Sequence, residues 1–199
     1  MGPWSRVDTN KFLELPLRAH AVLHDVPIHD AWCVRLPGGG PGRSMADVRQ
    51  LLDRHRSSNL NPAVRILFGI RIALGRLFRW DEPLEPLGEA SFFHRLTDDD
   101  VARSTVPPGT REGPFVVLYV HEHETLGEAR NATVHAFSVV SLVEQQWGYE
   151  LFWSIYVRPA GGLTRAYMAL INPFRRWIVY PSLLRTLHRA WREEYDPAH

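Results

Sequence analysis

The 199-residue chain is short of several things, and each scarcity excludes something. It has a single cysteine, Cys33. One thiol forms neither an internal disulfide nor a cysteine-based zinc site. With no apolar leader in "MGPWSRVDTNKFLEL", it points to a reducing, cytoplasmic setting. That start also departs from the myristoylation pattern. Lysine occurs once, at Lys11, and every other basic residue is arginine. A GC-rich genome accounts for such a bias, so arginine enrichment carries little functional weight. Neither sign of charge dominates: the net charge is +1, and bulk charge gives no argument for nucleic acid. The longest charge-free run, Asn131 to Val143, is far below the roughly 20 residues of a spanning helix, so no transmembrane segment is expected. The glycine run "GGGPG" at 38–42 lacks a Walker lysine and the G-x-G-x-x-G spacing, and reads as a chain break. No internal repeat is visible. Asn131-Ala132-Thr133 is a sequon in mid-strand, and in a cytoplasmic protein it stays unmodified.

What is present is one domain's worth of amphipathic sequence, 45% hydrophobic and 23% charged. Residues 1–25 read as an arm in which Phe12, Leu13, Leu15 and Leu17 pack. "HDAWCVRLP" (29–37) alternates as a strand, with Ala31, Cys33 and Arg35 on one side and Trp32, Val34 and Leu36 on the other. Ser44 caps a helix near 45–56, with Asp47 at the third position of a capping box. Asn61-Pro62 opens a second helix over 62–79 with an arginine face. "SFFHRL" reads as a short strand, and "TDDDVARS" as a short helix capped by Thr97. From Pro114 the period becomes two, giving strands at 115–123, from near 128 to about 143, and at 150–157. Helical spacing returns at 163–195, where Leu163, Tyr167, Leu170, Phe174, Trp177, Leu184, Leu187, Trp191 and Tyr195 form one stripe. Pro173 and Pro181 must kink or divide that helix.

The order of elements fits an α+β class, with a curved antiparallel sheet packed on a long C-terminal helix. It resembles the START-like, or Bet v 1-like (SRPBCC), helix-grip superfamily, which includes polyketide cyclase and lipid-transfer domains. "ETLGEARNATVHAF", "YELFWSIYVRP" and "INPFRRWIVYPSLLRTLHRAW" look more closely like a family of uncharacterised bacterial proteins near that superfamily. The resemblance covers residues 20–195 and extends over a single domain of 1–199. It implies a hydrophobic pocket between the sheet and the C-terminal helix. It also implies further strands, sought at 29–37, 89–96 and 124–130.

Inside the strand region lies a knot of polar residues: His121, Glu122, His123, Glu124, Glu128, Arg130, Asn131, Thr133 and His135. Which of them share a face depends on register. With a hairpin turn at Leu126-Gly127, Glu122, Glu124, Asn131, Thr133 and His135 share one face. With a loop of Leu126-Gly127-Glu128, His123 meets Asn131, His121 meets Thr133 and Tyr119 meets His135. Three uses compete. His121 and His123 with His135 or a glutamate would bind a metal. Glutamates with His135 in a pocket would move protons. Or the groups stabilise each other at a wet sheet end. The candidate catalytic residues are Glu124, Glu128 and His135. The candidate substrate-binding residues are Tyr119, His121, His123, Asn131, Thr133, Trp153 and Tyr156, with His94 beside them. Neither metal nor cofactor is expected. Cys33 reads as a small buried residue.

The expected ligand is a hydrophobic, oxygenated small molecule, polyketide- or lipid-like. A cofactor-free cyclase, isomerase or dehydratase and a non-catalytic carrier or sensor both fit. A peripheral membrane or partner-binding role through helices 62–79 and 163–195 is the third reading. An exposed sheet edge leaves a homodimer open.

Overall fold

The computed structural model describes residues 2–55, 87–130, 134–159, 172–173 and 175–196. Along the chain come Trp4–Arg6 (β1), Thr9–Leu13 (α1), Arg18–Val22 (α2), Ile28–Pro37 (β2), Met45–His55 (α3), a 3-10 turn at Phe92–Arg95, and Asp98–Ala102 (α4). Then follow Arg111–Glu112 (β3), Phe115–Val120 (β4), Glu124–Arg130 (β5), Val134–Gln145 (β6), Gly148–Pro159 (β7), a π-helical turn at Arg175–Val179, and Tyr180–Tyr195 (α5). The strands form one antiparallel sheet in the order β1-β2-β7-β6-β5-β4-β3. The last strand therefore sits beside the second, and β7 is bonded along both edges. The architecture is α+β.

Alternation along the strands divides the apolar residues into two clusters. Val34 and Leu36 of β2 with Leu151, Ile155 and Val157 of β7 meet α3 and α5 on one face. Leu184, Leu187 and Trp191 form the buried stripe of α5, each contributing about 1.5–3 kcal/mol by burial. Phe137, Val139, Phe152 and Tyr156 point the other way. They are covered by Phe12 of α1, Ala19 and Val22 of α2, and Phe92. The arm is thus a second layer, with Phe12 fully buried and Leu13 exposed.

Several expectations are corrected. The 115–123 strand ends at Val120, and Leu126-Gly127 is not a turn. Gly127 lies inside β5 opposite both Val117 and Ser138, and the β4–β5 connection is 121–123. The expected strand from near 128 to 143 falls on two strands that pair with each other, Glu124–Arg130 and Val134–Gln145. "SFFHRL" is a 3-10 turn, because Ser91 accepts from the Phe93 N–H and caps it. Trp177 does not belong to the buried stripe, as it is 79% exposed. Pro181 lies in the first turn of α5, where a missing donor is tolerated, and the π-helical turn comes just before it. The 62–79 helix, and Leu163, Tyr167, Leu170 and Phe174, lie outside the described residues.

The "GGGPG" break is a latch. The Tyr149 hydroxyl donates to Gly40 O (2.8 Å) and accepts from Arg43 N–H (3.1 Å), while Gly39 N–H donates to Tyr195 O. At its root, Gly148 has φ +140°, and a Cβ there would stand 2.4 Å from Leu36 O and 2.7 Å from Gly38 N. Both contacts are backbone, so nothing nearby can yield. Gly148→Ala is expected to lose about 3 kcal/mol of stability in urea unfolding; a loss below about 1 kcal/mol would show that the hairpin can shift its register instead.

Candidate functional site

The candidate residues fall on both faces of the sheet. Glu124, Glu128, His135, Tyr119 and Tyr156 face the layer made by residues 9–23 and 87–102, not the C-terminal helix. Of the described candidates, Trp153 alone faces α5. The pocket expected from the resemblance is therefore not where the glutamates and His135 are.

Tyr119 reaches its position through a bulge. The pairs Val117–Gly127 and Tyr119–Leu126 show one extra residue in β4. Leu118 and Tyr119 consequently both turn toward the N-terminal layer, with Val117 and Val120 on the opposite side. The Tyr119 hydroxyl then donates to Glu124 Oε1. The same carboxylate accepts Ala19 N–H at Oε1 (3.2 Å) and Arg18 N–H at Oε2 (2.9 Å). Those are the first amides of α2, whose N-cap residue Leu17 has no side-chain acceptor. Glu124 caps that helix from another strand. The Arg18 guanidinium continues the network to Asp100, donating Nε–H at 2.8 Å and Nη2–H at 2.8 Å. Asp100 also closes the capping box with Thr97 over α4. Arg18 is the main reason the Asp100 carboxyl is held well below the usual range, although burial opposes it. Burial, then the Glu124 charge, push the Tyr119 hydroxyl far above its ordinary value.

Glu128 forms a second node beyond the buried Leu126. His135 Nε2 lies 2.5 Å from its Oε1, Phe92 N–H donates to the same oxygen (3.1 Å), and Ser91 Oγ–H donates to Oε2. Burial would raise the Glu128 carboxyl, but the hydrogen bonds from His135, Ser91 and the Phe92 amide outweigh it and leave it lowered. His135 packs edge-on against Phe92, with centroids 5.1 Å apart. Elsewhere on this face the Tyr156 hydroxyl is 2.9 Å from His20 Nδ1. Burial lowers the His20 pKa and raises that of Tyr156.

The histidines are dispersed. His121 Nε2 is hydrogen-bonded to Asp100 O (3.0 Å) and its ring stacks on Tyr119. His123 is exposed beside Glu122. Both belong to the connection at one end of β5, while His135 pairs with Arg130 at the other, on the order of 20 Å away along the strand. The His121–His123–His135 metal set is thus not assembled. Among the described residues, no group of three or more His, Cys, Asp or Glu could hold a metal. Asn131 and Thr133 lie outside the described residues. His94 Nδ1 contacts Ser91 O. Cys33 is buried, and burial pushes its thiol up to about 12, which disfavours the thiolate form.

The opposite face holds a cluster that the alternation of 29–37 contained without its partners. Trp32 of β2 and Trp153 of β7 are directly paired. The Tyr180 ring lies 5.2 Å from Trp32 and meets Trp153 edge-on at 5.0 Å. The Tyr180 hydroxyl donates to the buried Asp30 (3.0 Å), and Trp153 Nε1–H donates to Ser138 Oγ (2.9 Å). The Trp32 ring N–H is buried and has no acceptor among the described residues. Both tryptophans are only partly buried although they stand on central strands. Asp30 and Tyr180 were missed by the sequence reading. Asp30 is a carboxylate at an apolar position of the alternation, a signal that was there to use.

The DUF2867 family model, described as a protein of unknown function, matches residues 22–182. No curated protein and no solved structure matches the chain. Among the described residues, no helix is long and apolar enough to cross a membrane.

A carboxyl held below its normal range stabilises the fold fully above pH ~4, and that contribution drains away as the pH falls beneath it. Asp100→Asn is therefore expected to lose about 2 kcal/mol at neutral pH, with the difference from wild type shrinking in acid. Urea unfolding across a pH series reads this, and a constant difference would contradict it.

Proposed function

The chain belongs to the DUF2867 family of proteins of unknown function, and we propose that it binds an apolar, oxygen-bearing small molecule, polyketide- or lipid-like, against Trp32, Trp153 and Tyr180. The observation that carries this reading is the Trp32 ring N–H, a buried donor with no acceptor among the described residues. A buried donor left unmatched is costly, and a ligand carbonyl or hydroxyl oxygen beside it removes that cost. The flat faces of two half-buried indoles supply the apolar contact, and the Asp30–Tyr180 pair forms a polar wall. The START-like resemblance supports the same place, between the sheet and the C-terminal helix.

A carrier role suits this arrangement better than acid–base turnover by the glutamates. Glu124 and Glu128 each already accept from two backbone or side-chain donors of the N-terminal layer, besides Tyr119 or His135, and they face away from the indoles. A catalytic form of the reading draws on Asp30 and Tyr180 instead. A cytoplasmic setting, read from the lone thiol, goes with either form.

Naphthol, a flat apolar molecule with one hydroxyl, tests the reading by quenching tryptophan fluorescence. Trp32→Phe keeps the ring bulk and removes the donor, so naphthol affinity is expected to fall about fivefold, the ~1 kcal/mol worth of one hydrogen bond. Trp32→Ala should abolish saturable quenching; undiminished binding by that variant sinks the proposal.

A further inference from the structure

Three basic side chains stand abreast on the face opposite the indoles. At that end of the sheet Arg130 of β5 pairs with His135 of β6, which pairs with Arg158 of β7. Directly paired residues project to one face with Cβ atoms about 5 Å apart. Phe92 lies over this row: its ring meets His135 edge-on, and the Arg158 guanidinium is 5.9 Å from its centroid.

Such a row repels itself unless something negative sits in it. The nearby carboxylates are already committed. Glu128 holds His135 by Nε2, and Asp25 is paired with Arg95, which covers Phe92. Among the described residues no carboxylate is within ion-pair distance of Arg130 or Arg158. Moreover, Arg130 Nη1 is buried and makes no hydrogen bond among the described residues. A buried guanidinium nitrogen without an acceptor is expensive, and a bound oxyanion is the partner that fits it.

We propose that Arg130, His135 and Arg158 form a binding site for the phosphate group of a soluble phosphate monoester. A phosphate offers three oxygens and about two charges to the two guanidinium groups and to the Nδ1–H that His135 presents as an imidazolium, whereas a carboxylate satisfies one guanidinium fork. Glu128 is a positioning residue in this site, fixing the imidazole by one nitrogen. The site lies on the other side of the sheet from Trp32, so it stands or falls independently of the ligand proposed there.

The test is calorimetric titration of the full chain with inorganic phosphate at constant ionic strength, with acetate as comparator. Saturable phosphate binding is expected, weaker by about tenfold or more in Arg130→Gln and in the exposed Arg158→Gln. Without phosphate, Arg130→Gln should melt at or above the wild-type temperature, since it removes a guanidinium whose buried Nη1 is unmatched among the described residues. Glycerol phosphate should compete with inorganic phosphate. Equal phosphate affinity in wild type and both variants overturns the site. So does an Arg130→Gln protein that melts lower yet binds phosphate unchanged. Association with phosphatidic acid vesicles, with no competition by glycerol phosphate, overturns the assignment to a soluble ester.

Discussion

Two glutamates four residues apart on β5 hold the N-terminal layer onto the sheet. Each is buried, and a buried carboxylate survives only if its oxygens are matched by donors. The 3-10 turn at Phe92–Arg95 and the five-residue α2 have the complementary need. Their first amides have no internal acceptor, and neither element is long enough to persist alone. Glu124 supplies the acceptor for α2, and Glu128 supplies it for the turn. Each contact spans a long stretch of chain, so the layer and the sheet become stable together.

This tether fixes the register of the strands around it. Glu124 and Glu128 point the same way only if β5 is continuous from 124, which moves the connection back to 121–123. Gly127 then sits where the Phe115 side chain crosses the strand, 3.3 Å from where a Cβ would stand, and the glycine serves a close approach. Tyr119 joins Glu124 only because β4 carries one extra residue. A strictly alternating β4 would put Tyr119 on the face of Val117, beneath α3 and α5, and would leave Glu124 one donor short.

Local rules were legible in the sequence where local residues decide. The strand at 29–37, the Ser44-capped helix and the Thr97-capped helix all depend on residues within one turn or one alternation. The Ser44 amide donates to Asp47, as their spacing implied, and Thr97 caps its helix as expected, with its amide also donating to Asp100. The α+β class followed from the order of such elements. The polar knot was not legible in the same way, because its partners are Arg18, Ala19, Ser91 and Phe92, far off in sequence. Gly127 looked like a hairpin turn since glycine tolerates one, and nothing local distinguishes that use from a crowded strand position. The bulge at Leu118–Tyr119 hid for a related reason: both residues are apolar enough for either face. "SFFHRL" looked like a strand by composition, yet Ser91 and Glu128 together capture its first amides and curl it.

The sheet thus separates two chemistries. Toward the N-terminal layer it presents Glu124 and Glu128, matched by the first amides of α2 and of the 3-10 turn, with the row of Arg130, His135 and Arg158 beyond them. Toward α5 it presents paired indoles. β7 contributes to both, with Trp153 on one side and Tyr156 and Arg158 on the other. Trp153 and Arg158 are five residues apart, on the order of 17 Å along a strand, beyond the range at which neighbouring substitutions usually couple. β7 is also hydrogen-bonded to β2 and β6 on its two edges, so it has little freedom to pass a displacement from one face to the other. The two faces are therefore separate surfaces on one strand, and a ligand of the kind proposed for the indole side would leave the arginine row in the same geometry.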